Sequence, residues 1–74
     1  MADTTHKFLA ESIGNIVLVK LKDNGKVRGR LKTFDMHLNI VLEDAEEVKG
    51  DEVRPLGTVL IRGDSVVLVS PVEV

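Results

Sequence analysis

From Lys26 to Lys32 every second residue is basic (Lys26, Arg28, Arg30, Lys32) and every intervening residue is apolar or glycine (Val27, Gly29, Leu31). A period of two is the signature of a β-strand with one wet face and one buried face. Gly29 falls on the buried face, where a side chain would normally pack. A glycine there marks a sharp bend or a close approach of another backbone. A bend in mid-strand is what a small, nearly closed sheet requires.

The flanking segments repeat this pattern between turn signals. Asn15 to Lys22 reads as a first strand with Val17, Val19 and Leu21 on one face, and Asp23-Asn24-Gly25-Lys26 reads as a hairpin turn. Asn-Gly predicts positive φ at both central positions. After the second strand, Lys26 to Phe34, a third is expected from Leu38 to Glu46, with Leu38, Ile40 and Leu42 on one side. Val48 to Glu52 is expected to be a charged loop containing Gly50. A fourth strand follows over Val53 to Ile61, where Pro55 demands an edge or the strand's start. Arg62-Gly63-Asp64 turns the chain into a fifth strand, Ser65 to Ser70, which Pro71 ends. Ahead of all this, Asp3 to Ser12 reads as a short helix. Asp3, Thr4 or Thr5 would cap it, Phe8, Leu9, Ser12 and Ile13 would give one weakly apolar side, and Gly14 would stop it. The expected fold is all-β with a short N-terminal helix: one domain over residues 1–74, built as a five-stranded, strongly bent antiparallel small barrel.

Composition narrows the functional classes. There is no cysteine, and His6 and His37 are the only histidines, so no disulfide, metal centre or cofactor is expected. The segment from Met1 to Phe8 lacks the apolar core of a signal peptide, and no apolar run exceeds four residues, so a soluble cytoplasmic protein without membrane contact is expected. The net charge of −2 hides a segregation: six of the ten bases fall within positions 20–32 and six of the twelve acids within 43–52. Such segregation creates separate surface fields, although the basic run is equally what a solvated strand face looks like.

A lone core in a chain this short supplies roughly 3–5 kcal/mol, so association is the remaining common support. Val59-Leu60-Ile61 and Val66-Val67-Leu68-Val69 are apolar on both faces. Either the helix covers them, or the last two strands pair with neighbouring copies head-to-tail, which closes a ring.

Chemistry concentrates in two turns. Phe34-Asp35-Met36-His37-Leu38-Asn39 offers an imidazole that can stack (His37), an amide that donates and accepts (Asn39) and a carboxylate that can orient that amide (Asp35), the parts needed to hold one nucleobase. Arg62-Gly63-Asp64 adds a flat guanidinium. Both turns are expected at the same end of the barrel.

These residues resemble the Sm and Sm-like family, specifically its archaeal members. Val19 to Leu31, continuing through Phe34 to Leu42 and lying within residues 15–46, resembles the family's first Sm motif. Leu60-Ile61-Arg62-Gly63-Asp64-Ser65-Val66, within 53–70, is similar to its second Sm motif. The resemblance covers nearly everything after Gly14, with the helix placed at 3–13. It implies a homo-oligomeric ring, most often of seven copies, that binds uridine-rich single-stranded RNA at its inner rim and serves as an RNA scaffold or chaperone. On this sequence it implies that His37 and Arg62 sandwich a base, that Asn39 reads its edge, that Asp35 holds Asn39, and that Gly63 and Asp64 shape the second loop. A further RNA site near the helix, as some relatives have, would involve His6 and Lys7.

Two other functions fit a small barrel. A protein-interaction module of SH3 type, without nucleic-acid binding, would want an aromatic groove. Here Phe8 and Phe34 are the only large aromatics. An enzyme would need a nucleophile beside His37 or a metal set, and the sequence offers neither.

Overall fold

The structure, a computed structural model, describes residues 3–72. One helix, α1 (Asp3–Ser12), precedes five strands: β1 (Ile16–Leu21), β2 (Lys26–Phe34), β3 (Ile40–Lys49), β4 (Glu52–Ile61) and β5 (Val66–Pro71). A 3-10 turn at Gly63–Ser65 joins the last two. All pairings are antiparallel, in the order β4-β3-β2-β1-β5, so β4 and β5 form the two edges of the sheet. This is the strongly bent five-stranded sheet with an N-terminal helix that the residue pattern predicts.

The bend has a local cause. Gly29 faces β3 so closely that a Cβ there would lie 3.0 Å from Ala45 Cα and 3.1 Å from Leu42 Cβ. Opposite it the register shifts between Arg28 and Arg30. Asp44 takes φ 53° and Gly57 φ 77° beside the Ala45–Gly57 pair, so β3 and β4 kink together. The curled sheet encloses a core of Val17, Val19, Val27, Leu31, Ile40, Leu42, Ala45 and Ile61, with Leu9 contributed by the helix. Each such aliphatic side chain larger than alanine contributes roughly 1.5–3 kcal/mol of burial.

Four expectations need correction. The helix buries Leu9 and Ser12 and leaves Phe8 and Ile13 on the surface; Leu9 is the helix residue that joins the core of the sheet. (The cap expected from Asp3 lies outside the described side chains.) The first hairpin has positive φ at Asn24 alone (71°), not at Gly25. Asn24 N–H donates to the Leu21 carbonyl and Leu21 N–H to the Gly25 carbonyl, which makes a type I turn followed by one left-handed residue. The third strand begins at Ile40; Leu38 has φ 64° and tucks against the core from outside the strand. The charged loop over 48–52 is mostly ladder. Val48 pairs with Val53 and Lys49 with Glu52, leaving Gly50 and Asp51 as the turn, with Gly50 at φ 60°. Charge in that stretch marks wet strand faces rather than a loop.

Three of the four bases in the β2 row pair with acids of the same chain. Arg28 donates through Nε to Glu46 Oε2 at 2.8 Å, Arg30 pairs with Asp44 at 2.6 Å and Lys32 with Glu43 at 3.1 Å. All six side chains remain partly exposed, so each pair contributes only about 0–1 kcal/mol. They do settle where these bases point: at the acids of β3, across one strand spacing.

Candidate functional site

Asp35 organises the loop between β2 and β3. Its Oδ1 accepts from the backbone N–H of His37 (2.9 Å) and of Asn39 (3.0 Å), and its Oδ2 accepts from Asn39 Nδ2 (3.0 Å). Asp35 N–H donates to the Asn39 carbonyl and Leu38 N–H to that of Asp35, closing the turn. An aspartate bonding the backbone two residues ahead substitutes for a strand ladder. The reversed backbone at Leu38 sends its apolar side chain inward and leaves His37 and Met36 exposed.

The second loop docks onto the first through Gly63. Its N–H donates to Asn39 Oδ1 at 2.8 Å. Gly63 has no positive φ; it is needed for room. A Cβ there would overlap the His37 carbonyl oxygen and sit 2.9 Å from the Leu38 carbonyl carbon. Arg62, just before it, is exposed, and its Nη2 lies 3.4 Å from Asp64 Oδ2.

Asn39 is therefore held at both ends. One amide N–H goes to an acceptor-only carboxylate, and one lone pair of the amide oxygen takes a donor-only backbone N–H. Rotating the amide by half a turn would set N–H against N–H and oxygen against carboxylate. The bonding pattern thus assigns which end is which. Among the described residues no other group takes the second N–H of the amide or the second lone pair of its oxygen, so these can meet a ligand that presents an acceptor beside a donor.

Of the residues singled out from the sequence, Asp35, Asn39 and Gly63 form one bonded unit. His37 and Arg62 are tied to it through the backbone, and Asp64 bonds Arg62 rather than the first loop. The direct bond from Gly63 to Asn39 was not foreseeable. A glycine in a turn suggests φ freedom first, and nothing in the chain announces a close approach instead. His6 stacks obliquely on Phe34, ring centroids 5.9 Å apart, and so joins the helix to the end of β2.

The Asn39 amide, with the N–H groups of Asn39 and His37 and the His37 charge, holds the Asp35 carboxyl below its ordinary value of 3.8, against the opposing pull of desolvation. A depressed folded value means that the lock is complete above pH 3.8 and is lost as pH falls through the lower, folded value. The expected result is an Asn39 side-chain amide resonance that stays sharp from pH 8 to pH 5 and broadens only on the acid side of 3.8. In Asp35→Asn that acid-side transition should be absent; its persistence would assign it to another group.

The LSM domain model matches residues 7–71. The chain belongs to the archaeal Sm-like family. It is 48% identical over 67 residues to an Sm-like protein of Aeropyrum pernix, covering 90% of this chain and 87% of that one. The SmAP1 heptamer of P. aerophilum superposes with a TM-score of 0.92 at 44% identity, over 100% of this chain and 99% of that one. The Sm protein of Pyrococcus abyssii in complex with a uridine heptamer gives 0.86 at 43% identity, over 90% and 96%. The Sm-like fold family is not catalytic. Among the described residues, no group of three or more His, Asp or Glu could hold a metal ion.

Proposed function

We propose that this Sm-like chain assembles as a homo-oligomeric ring, of seven copies, that holds uridine-rich single-stranded RNA on its inner rim and acts as a scaffold in RNA processing. The observation that carries the RNA half is the Asn39 amide fixed at both ends. Uracil presents a carbonyl acceptor beside an N–H donor, the complement of the free edge of Asn39. Cytosine presents an acceptor ring nitrogen where uracil has its donor, and the amide cannot turn over to follow it. His37 and Arg62 supply planar groups for the two faces of the base, a contact contributing about 1–3 kcal/mol per base. The likeness to a relative solved with a uridine heptamer supports the same reading.

The ring half rests on the edges. Leu60 on β4 and Val67 and Leu68 on β5 are 66%, 55% and 45% exposed, on the two strands that lack a partner on one side. A groove of about 230 Å³ runs between α1 and β5, lined by Thr5, Leu9, Leu38 and Val66 to Val69 among others. Pairing β4 of one copy with β5 of the next covers both edges, and repeated head-to-tail contact closes a ring. Two solved relatives, an archaeal Sm protein 48% identical to this chain and the SmAP1 of P. aerophilum, are heptamers.

Asp35→Asn tests the base-reading role with little change of shape. The new side chain still accepts both backbone N–H groups, yet offers Asn39 a donor where it had an acceptor. Preference for oligouridine over oligocytidine should shrink by about tenfold, with a smaller loss of overall affinity. Equal weakening toward both oligomers would reject the role given to Asp35.

A further inference from the structure

Asn24 is the one asparagine of this chain that is followed by glycine; Asn15 and Asn39 precede β-branched isoleucines. We propose that Asn24 is the site at which this protein deamidates spontaneously, and that Asp23 slows the reaction by engaging the nucleophile. In that reaction the Gly25 backbone nitrogen loses its proton to solvent base and attacks Cγ of Asn24. The N–Cγ bond forms, the Cγ–Nδ2 bond breaks, and ammonia leaves with a proton taken back from water. The resulting succinimide is opened by one water molecule to aspartate or isoaspartate. No other co-reactant is needed.

The turn contains both the hazard and its restraint. Asn24 is exposed, at φ 71°, beside an open groove of about 430 Å³ between the β1–β2 turn and the β3–β4 hairpin, so water and hydroxide reach it. Gly25 carries no Cβ to obstruct the attack. Its nitrogen, however, donates to Asp23 Oδ1 at 2.9 Å. Removing that proton would leave two anions in hydrogen-bond contact, which makes the N–H less acidic. Attack also requires rotation about Asn24. The turn opposes it from both sides, through Asn24 N–H to the Leu21 carbonyl (3.0 Å) and Leu21 N–H to the Gly25 carbonyl (2.8 Å). Isoaspartate would lengthen the backbone by one atom just before the Lys20–Lys26 pair that starts the β1–β2 ladder.

The test ages the purified full chain, Asp23→Asn, Asp23→Ala and Asn24→Ala side by side at mildly alkaline pH, below the melting temperature of each. Ammonia release and isoaspartate at position 24 are followed by peptide mapping, and circular dichroism monitors folding. Each unit of lowered N–H acidity is a tenfold change in the reactive form. Asp23→Ala is therefore expected to convert about tenfold faster than the native chain. Asp23→Asn, which keeps a hydrogen-bond acceptor but not the charge, should fall between the two while remaining folded, and Asn24→Ala should show no signal at this turn. Asp23→Asn and Asp23→Ala both ageing no faster than the native chain would overturn the proposal. So would isoaspartate accumulating first at Asn15 or Asn39.

Discussion

Gly63→Ala is expected to lower oligouridine affinity by roughly 10- to 100-fold, the equivalent of about 1.4–2.8 kcal/mol, in a protein whose strands remain intact. The new Cβ would meet backbone atoms of His37 and Leu38, which no rotamer change can move. The two loops must separate, and the hydrogen bond from Gly63 N–H to Asn39 Oδ1 goes with them. Asn39 then keeps only its bond to Asp35, and His37 loses its fixed distance from Arg62. Gly29→Ala is the matching control. Its Cβ would press on Ala45 and Leu42, within the core and away from the loops. That variant should melt lower than the native chain, with unchanged affinity in its folded fraction. The comparison is read by circular dichroism and fluorescence anisotropy. Normal binding by a folded Gly63→Ala protein would show that the loops need not be docked to bind RNA.

Leu60→Lys is expected to break the assembly without unfolding the protomer. Leu60 is two-thirds exposed in the single chain, so its replacement removes little from the core. In the proposed contact between β4 and a neighbouring β5, the same position would bury an ammonium group opposite an apolar strand. An unpaired buried charge costs about 3–5 kcal/mol, enough to weaken each junction more than about 100-fold. Sedimentation at micromolar concentration should show the native chain as one large species and the variant as protomers. Val67→Glu, on the other edge, should do the same. An unchanged sedimentation profile for both variants would place the contact elsewhere.

Loss of the ring should also cost affinity for long RNA, because linked sites act at a high effective concentration. Leu60→Lys protomers are therefore expected to bind oligouridine weakly and with little dependence on its length. This separates them from Gly63→Ala, which should retain the ring and lose the site.

Much of this was legible in the residues. The alternation around Gly29 located both the strand and its bend, because a period of two has one structural meaning and a glycine on the buried face has few. Asp35, His37 and Asn39 could be grouped, since turn chemistry brings alternate loop residues together. Leu38 was misplaced for a physical reason: its apolar side chain suits the pattern of β3, and only the reversed backbone at φ 64° shows that it reaches the core from outside the strand. The β3–β4 hairpin is longer than expected because Glu47, Lys49 and Glu52 carry strand geometry under charged side chains. The basic row of β2 was ambiguous for the opposite reason. A run of bases does not reveal that its acids stand one strand away, and the pairs with Glu43, Asp44 and Glu46 emerge only from the register. Likewise, the room demanded at Gly63 belongs to a contact across 24 residues of chain.

Native mass measurement with and without a short oligouridine tests the central claim most directly. A single species at a whole-number multiple of 8.1 kDa, sevenfold by the present account, should take up oligouridine and leave oligocytidine free. An 8.1 kDa protomer that stays alone and takes up neither oligomer would contradict it.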